Sequence, residues 1–264
     1  MSTRKTSAKM TLLERRDTAE GTIRILRDRK DGSIIYYQGI GVQSRGDAQG
    51  ETLLDYGRMI CCLAIAAAAR SALVIGCAGG TIATSLHRRG METVAIDTNP
   101  HAFALASRYF NLPPELETHV ADGRAFLEGS PRQWDVIILD AYNATSIPTH
   151  LATTAFFRLA ASRLNGTGLI VANVVTQSDR DLHADRIASA MREAGLRVRL
   201  FDDTDAKGGN CLVVGGDTVL ERRRLRRDDG ALRLAASLFR SRPAIECAAT
   251  QDWFDHSPRV AGKR

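Results

Sequence analysis

A chain of 264 residues with 44% hydrophobic side chains can bury one large core or two small ones, which excludes a low-complexity polypeptide. Its first ten residues, MSTRKTSAKM, are polar and basic, and its longest apolar run, 59–69, is too short to cross a bilayer, so neither a secretory signal nor a membrane anchor is expected. The net charge of +6 raises the case for a polyanionic partner without establishing one.

Residues 1–17 read as a disordered basic tail. From Gly21 the pattern changes to short β-rich runs at 22–26, 34–37 and 40–43, broken by an Asp28-Arg29-Lys30-Asp31-Gly32 turn, which predicts a small antiparallel sheet domain over 18–50. A helix over 53–69 leads into the stretch SALVIGCAGGTIATSLHRRGMETVAIDTNP, which reads as strand, glycine turn, helix, strand and acid. Alternation then continues: helix 100–110, strand 117–120, helix 123–127, strand 135–139, helix 153–164, strand 168–173 and helix 180–194. Strands separated by helices predict a doubly wound, Rossmann-like α/β domain over 51–216. The runs 197–201 and 212–214 have no helix between them, so they form a terminal hairpin whose last strand is antiparallel. Residues 217–264 read as an Arg-rich helical extension, with Arg222, Arg223, Arg224, Arg226 and Arg227 ahead of a helix over 231–239. Without interleaved aromatics the arginines read as solvated surface, and nucleic acid is not the expected partner.

Cysteines at 61, 62, 77, 211 and 247 make no C-x-x-C pair, so neither a disulfide framework nor a zinc site is indicated, and they read as reduced thiols of a cytoplasmic protein. His183 and Asp185 come nearest to metal-ligand spacing but fall on a solvated helix, and no metal is expected.

In an open parallel sheet, ligands bind beyond the carboxyl ends of the strands. There the chain offers the turn Gly76-Cys77-Ala78-Gly79-Gly80, then Asp97, Asp122 with Gly123, and Asp140-Ala141-Tyr142-Asn143. Glycines let a backbone turn sharply and approach a ligand closely, and an acid about twenty residues past the first glycine suits ribose hydroxyls.

The ordered motifs LVIGCAGGTIATSL, VAIDTNP with ALASRYFNL, HVADGRAFL, WDVIILDAY, IPTHLATTAFF and GGNCLVV resemble the spermidine synthase-like group of the class I methyltransferase fold. The resemblance implies a sulfonium nucleoside, S-adenosylmethionine or its decarboxylated form, as cosubstrate. It implies that Gln43, Gly76, Cys77, Ala78 and Gly79 line its site, that Asp97 holds the ribose, that Asp122 and Gly123 meet the adenine, and that Asp140 faces the sulfonium. Tyr142, Asn143, Pro148 and His150 then lie near a small-molecule or protein acceptor, with Asp140, Tyr142, Asn143 and His150 as the candidate catalytic set. A homodimer is compatible with the resemblance.

Departures from that group carry the functional expectation. Polyamine-forming members place an acid inside the glycine turn, in a GGGDGG pattern, and a second acid after the fourth parallel strand, where this chain has Asn143. Their Tyr-His-Glu segment appears here as Tyr56-Gly57-Arg58, and their early Tyr-Gln pair as Glu20-Gly21. A primary ammonium needs carboxylates to bind it and a base to unmask it. An acid-free turn and the N-terminus of the helix opening at Thr81 suit the carboxylate of intact S-adenosylmethionine instead. Methyl transfer is therefore the favoured activity. A divergent aminopropyltransferase and an inactive nucleoside-binding module are the alternatives.

Overall fold

The computed structural model describes residues 9–39, 41–143, 146–204, 208–216 and 238–244. Strands β1 (Met10–Thr18), β2 (Gly21–Asp28), β3 (Ile34–Gln38) and β4 (Gly41–Gly46) form an antiparallel meander in chain order. The basic tail expected over 1–17 is corrected here, because from Met10 the chain pairs with β2 along its length. An edge strand needs only one satisfied face, and the polar residues of β1 find partners: Glu14 accepts from the Tyr109 hydroxyl at 2.8 Å and from Arg16 at 2.9 Å. Residues 1–8 lie outside the described residues.

The large sheet contains β5 (Ser71–Ile75), β6 (Glu92–Asp97), β7 (Glu117–Val120), β8 (Trp134–Leu139), β9 (Leu164–Thr176), β10 (Arg197–Asp202), β11 (Gly209–Gly216) and β12 (Arg240–Arg242), in the order β12-β10-β11-β9-β8-β5-β6-β7. Strands β5 to β9 pair in parallel, while β11 runs antiparallel to both β9 and β10. The terminal hairpin thus forms as expected, and the fold is a doubly wound α/β sheet of Rossmann-like methyltransferase type preceded by a small β-sheet.

Alternation along β5 explains the two layers. Ala72 and Val74 face helices α1 (Asp55–Ala66) and α2 (Thr81–His87), together with Ala106 of α3 (Ala102–Tyr109). Leu73 and Ile75 face α4 (Gly123–Gly129), α5 (Thr154–Ser162) and α6 (His183–Glu193) through Leu127, Phe156, Phe157 and Ile187. Successive strand residues point to opposite faces, so both faces are buried. The meander joins this unit through a third cluster, in which Ile23, Ile25, Ile34 and Tyr36 meet Leu105 and Phe110.

Among the described residues no helix is long and apolar enough to cross a membrane. The arginines at 222–227 lie outside the described residues, as does the helix expected over 231–239 apart from Leu238 and Phe239. The segment that follows is a short strand: Phe239 is buried, and β12 pairs with β10. Arg242 holds it there, donating to both oxygens of the buried Asp185 at 2.8 and 3.0 Å and to Asp202 at 2.9 Å.

Candidate active site

Chain order places β6 and β7 on one side of β5 and β8 and β9 on the other, which makes β5 the switch point of the sheet. Over the carboxyl ends of these strands lies a cleft of about 490 Å³, roofed by the meander's turns. Its lining includes Gln43, Gly76, Cys77, Ala78, Asp97, Asp122, Gly123, Asp140, Tyr142, Asn143, Pro148 and His150. Gly79, the remaining expected residue, instead packs outward, with Ser44 and the Phe110 ring about it.

The glycine turn is held by backbone bonds. Gly76, at φ +95°, donates to the Ile96 carbonyl at 2.8 Å, and a Cβ there would run into the Asp140 carbonyl. Asp97 Oδ2 accepts from the N–H groups of Cys77 (2.8 Å) and Ala78 (3.0 Å), and Oδ1 accepts from Asn99 N–H at 2.8 Å. Gly79 N–H donates to Ser44 Oγ at 3.1 Å and Gly80 N–H to the Cys77 carbonyl at 2.7 Å. Every amide of the turn is therefore engaged. The turn itself thus has no N–H to spare for an anionic carboxylate, which corrects that part of the expectation. This bonding also changes the part of Asp97, which braces the turn through two N–H groups and spends a third acceptor position on Asn99 N–H.

Asp122 is the N-cap of α4, accepting from Ala125 N–H at 2.9 Å, while its other oxygen pairs with His150 Nε2 at 2.6 Å. Burial pushes its carboxyl up, but the bonds from Ala125 N–H and His150 outweigh it and hold the group below the usual carboxylate range. His150 thus reaches the cleft as the partner of Asp122. Gly123 keeps the floor flat, because a Cβ there would collide with Ile75.

Asp140 sits at the opposite end. Asn173 Nδ2 donates to Oδ1 at 2.8 Å, and the Tyr56 hydroxyl lies 3.4 Å from Oδ2 and 3.3 Å from the Gln43 carbonyl. Asn210 Nδ2 in turn donates to Asn173 Oδ1 at 3.0 Å, which fixes the orientation of that amide. Burial dominates and pushes the Asp140 carboxyl up to about 7, against the bonds from Asn173 and Tyr56. A carboxyl that titrates near neutrality can take a proton from an acceptor. Tyr142 is placed differently from the expected proton acceptor: its hydroxyl donates to the Asn173 carbonyl and accepts from Val175 N–H, both at 2.7 Å, so it pins the loop after β8 to β9. Asn143 is exposed, and its N–H donates to the Ser146 carbonyl at 2.9 Å.

Sequence reasoning missed Glu20, Tyr36, Gln38 and Asn99 as lining residues and Tyr56 as the partner of Asp140. Four carboxylates line the cleft (Glu20, Asp97, Asp122 and Asp140), and among the described lining residues there is no Lys or Arg. Such a donor set fits a cationic ligand.

No protein-family model matches the chain. Over 133 residues, half of its length, it is 33% identical to a probable polyamine aminopropyl transferase of Bifidobacterium longum, and the match covers 30% of that relative. Over 111 residues, 40% of its length, it is 32% identical to an N-terminal histidine N-methyltransferase of Emericella nidulans, covering 20% of it. The chain thus matches less than a third of either relative's length. Among solved structures it resembles a probable spermidine synthase from Corynebacterium glutamicum, with a TM-score of 0.70 over 86% of both chains at 20% identity, a likeness of fold. In sequence over half its length the chain is similar to a polyamine aminopropyl transferase, and in fold over most of it to a spermidine synthase.

Proposed function

We propose that the cleft binds a sulfonium nucleoside and that the chain is a transferase moving an alkyl group from it to a small-molecule or protein acceptor. The observation that carries this reading is the convergence of the strand-end carboxylates and the glycine turn on one cleft that has no Lys or Arg among its described lining residues. When bound, the sulfonium supplies an activated carbon whose bond to sulfur breaks with the electron pair leaving on sulfur. The chain's own part is to bind, orient and take a proton. Asp97 and the turn fix the nucleoside end. Asp140, tuned to about 7, accepts the proton that the attacking acceptor gives up, and Tyr56 and Asn173 hold the carboxyl in place.

Methyl transfer from S-adenosylmethionine is the favoured form. Asn143 stands where a polyamine-forming site needs a second acid. The turn also has Ala78, and no acid, directly ahead of Gly79-Gly80, where the GGGDGG pattern carries its acid. Aminopropyl transfer from the decarboxylated donor is the second reading, supported by the four lining carboxylates and by the engagement of every amide in the turn. Titration calorimetry with both nucleosides tests the choice. Binding of S-adenosylmethionine with label transfer to an acceptor supports the first reading. Clear preference for the decarboxylated donor overturns it in favour of the second, and failure to bind either removes both.

A further inference from the structure

The nucleoside reading leaves a shortage at its ribose end. An ionised carboxylate offers about four acceptor positions. Asp97 spends three on the N–H groups of Cys77, Ala78 and Asn99, so it retains about one where a ribose presents two hydroxyls. Across the cleft, in the turn between β1 and β2, Glu20 makes no side-chain hydrogen bond or ion pair among the described residues, although its carbonyl accepts from Gln38 Nε2 at 3.4 Å.

One donor near Asp97 is also unspent. Tyr36 lines the cleft and its ring is buried, while its hydroxyl has no hydrogen-bond partner among the described residues. Burial first, and then the charge of Asp97, keep that hydroxyl protonated and thus a donor. A donor held at the wall of a cleft without an acceptor is free to meet a ligand oxygen.

We infer that Glu20 supplies the second grip on the ribose diol, reaching it from the N-terminal meander while Asp97 serves mainly as the brace of the glycine turn. Tyr36 donates to a ribose oxygen whose hydrogen one of the two carboxylates receives. The mixture of donor and acceptors favours hydroxyls, which both give and take hydrogen bonds; an ammonium only donates and would leave Tyr36 unsatisfied. The inference rests on the nucleoside reading and adds to it a residue from a different sheet.

The test uses the full chain and 5′-methylthioadenosine, which is uncharged, with its 2′-deoxy and 3′-deoxy forms, each titrated by calorimetry. Glu20→Gln is expected to weaken binding of the parent nucleoside by roughly ten- to a hundredfold, the usual worth of a hydrogen bond to a charged group. Its binding of the form lacking the contacted hydroxyl should match the wild type. Glu20 is exposed, so the substitution leaves the core alone, and Tyr36→Phe should reproduce the pattern with a smaller loss. If the wild type binds the nucleoside and Glu20→Gln binds it equally well, or loses the parent and both deoxy forms by the same factor, the inference is overturned while the nucleoside reading stands. If the wild type binds none of the three, the nucleoside reading falls and takes the inference with it.

Discussion

The two ends of the cleft hold their carboxylates in opposite ways. At the glycine turn, Asp97 meets three backbone N–H groups, and the side chains around the turn leave no room for addition. At the other end, Asp140 meets one side-chain amide and one distant hydroxyl, and burial brings it to about 7. Backbone donors cannot be rearranged without refolding the turn, so the first end fixes shape. Side-chain donors on β9 and α1 can be adjusted singly, so the second end sets charge. A transferase needs both: a rigid seat for the nucleoside and a group whose protonation can change during the reaction.

The largest effect is expected where the rigid end is broken. Gly76→Ala forces a side chain onto a φ of +95° and into the Asp140 carbonyl, so it should cost on the order of 3 kcal/mol in denaturant unfolding and abolish nucleoside binding. Retention of wild-type binding would mean that the turn is not rigid. Asp97→Asn comes next. It sets an amide where a carboxylate receives three N–H groups, which should cost about 2 kcal/mol and weaken binding of every adenosine nucleoside alike. Selective loss of one nucleoside would instead place Asp97 in direct recognition.

At the charge-setting end the expected signature is in pH. Because folding raises the Asp140 pKa from 3.8 to about 7, the folded chain holds the extra proton between those values, and its contribution makes unfolding stability fall as pH rises through that window. A cationic nucleoside favours the ionised carboxyl, so its affinity should climb with pH up to about 7 and then level off, with a proton released on binding below that point. Asp140→Asn should flatten both curves between about 4 and 7 and slow transfer about a hundredfold. Calorimetry in buffers of different ionisation enthalpy reads the released proton directly, and an unchanged pH profile in Asp140→Asn would remove Asp140 from the titration.

The same contrast explains what could be read from the sequence. The turn, the strand-end acids and the two-layer sheet follow from local signals: glycines at fixed spacing, β-branched runs and apolar periodicity. Glu20 and Tyr56 were visible in the sequence but read as losses, because a motif position says which residue is missing and not what its replacement touches. Tyr36 and Gln38 arrive from another sheet, and their place over the cleft depends on how Ile23, Ile25 and Tyr36 dock onto Phe110. β1 looked like a tail because its polar residues find their partners on α3, some ninety residues away. β12 was hidden for a related reason: its place at the sheet edge depends on Arg242 reaching Asp185 and Asp202, contacts that no local pattern encodes.

The smallest effect tests how far the adjustable end extends. Asn210 on β11 never touches the cleft, but its Nδ2 bond to Asn173 Oδ1 keeps the Asn173 Nδ2 turned toward Asp140. Asn173→Ala removes a donor to the carboxylate and should raise the midpoint of the affinity-versus-pH curve by up to about one unit, since a hydrogen bond of this kind is worth about 1 kcal/mol. Asn210→Ala leaves that donor in place but frees the amide to flip, so the midpoint should move the same way by about half as much or less. Binding of the uncharged 5′-methylthioadenosine should be unchanged in both variants, because neither touches the turn or the ribose end. A fall in that binding, or a midpoint that moves downward, would mean that Asn210 supports the cleft through packing and that the charge-setting network ends at Asn173.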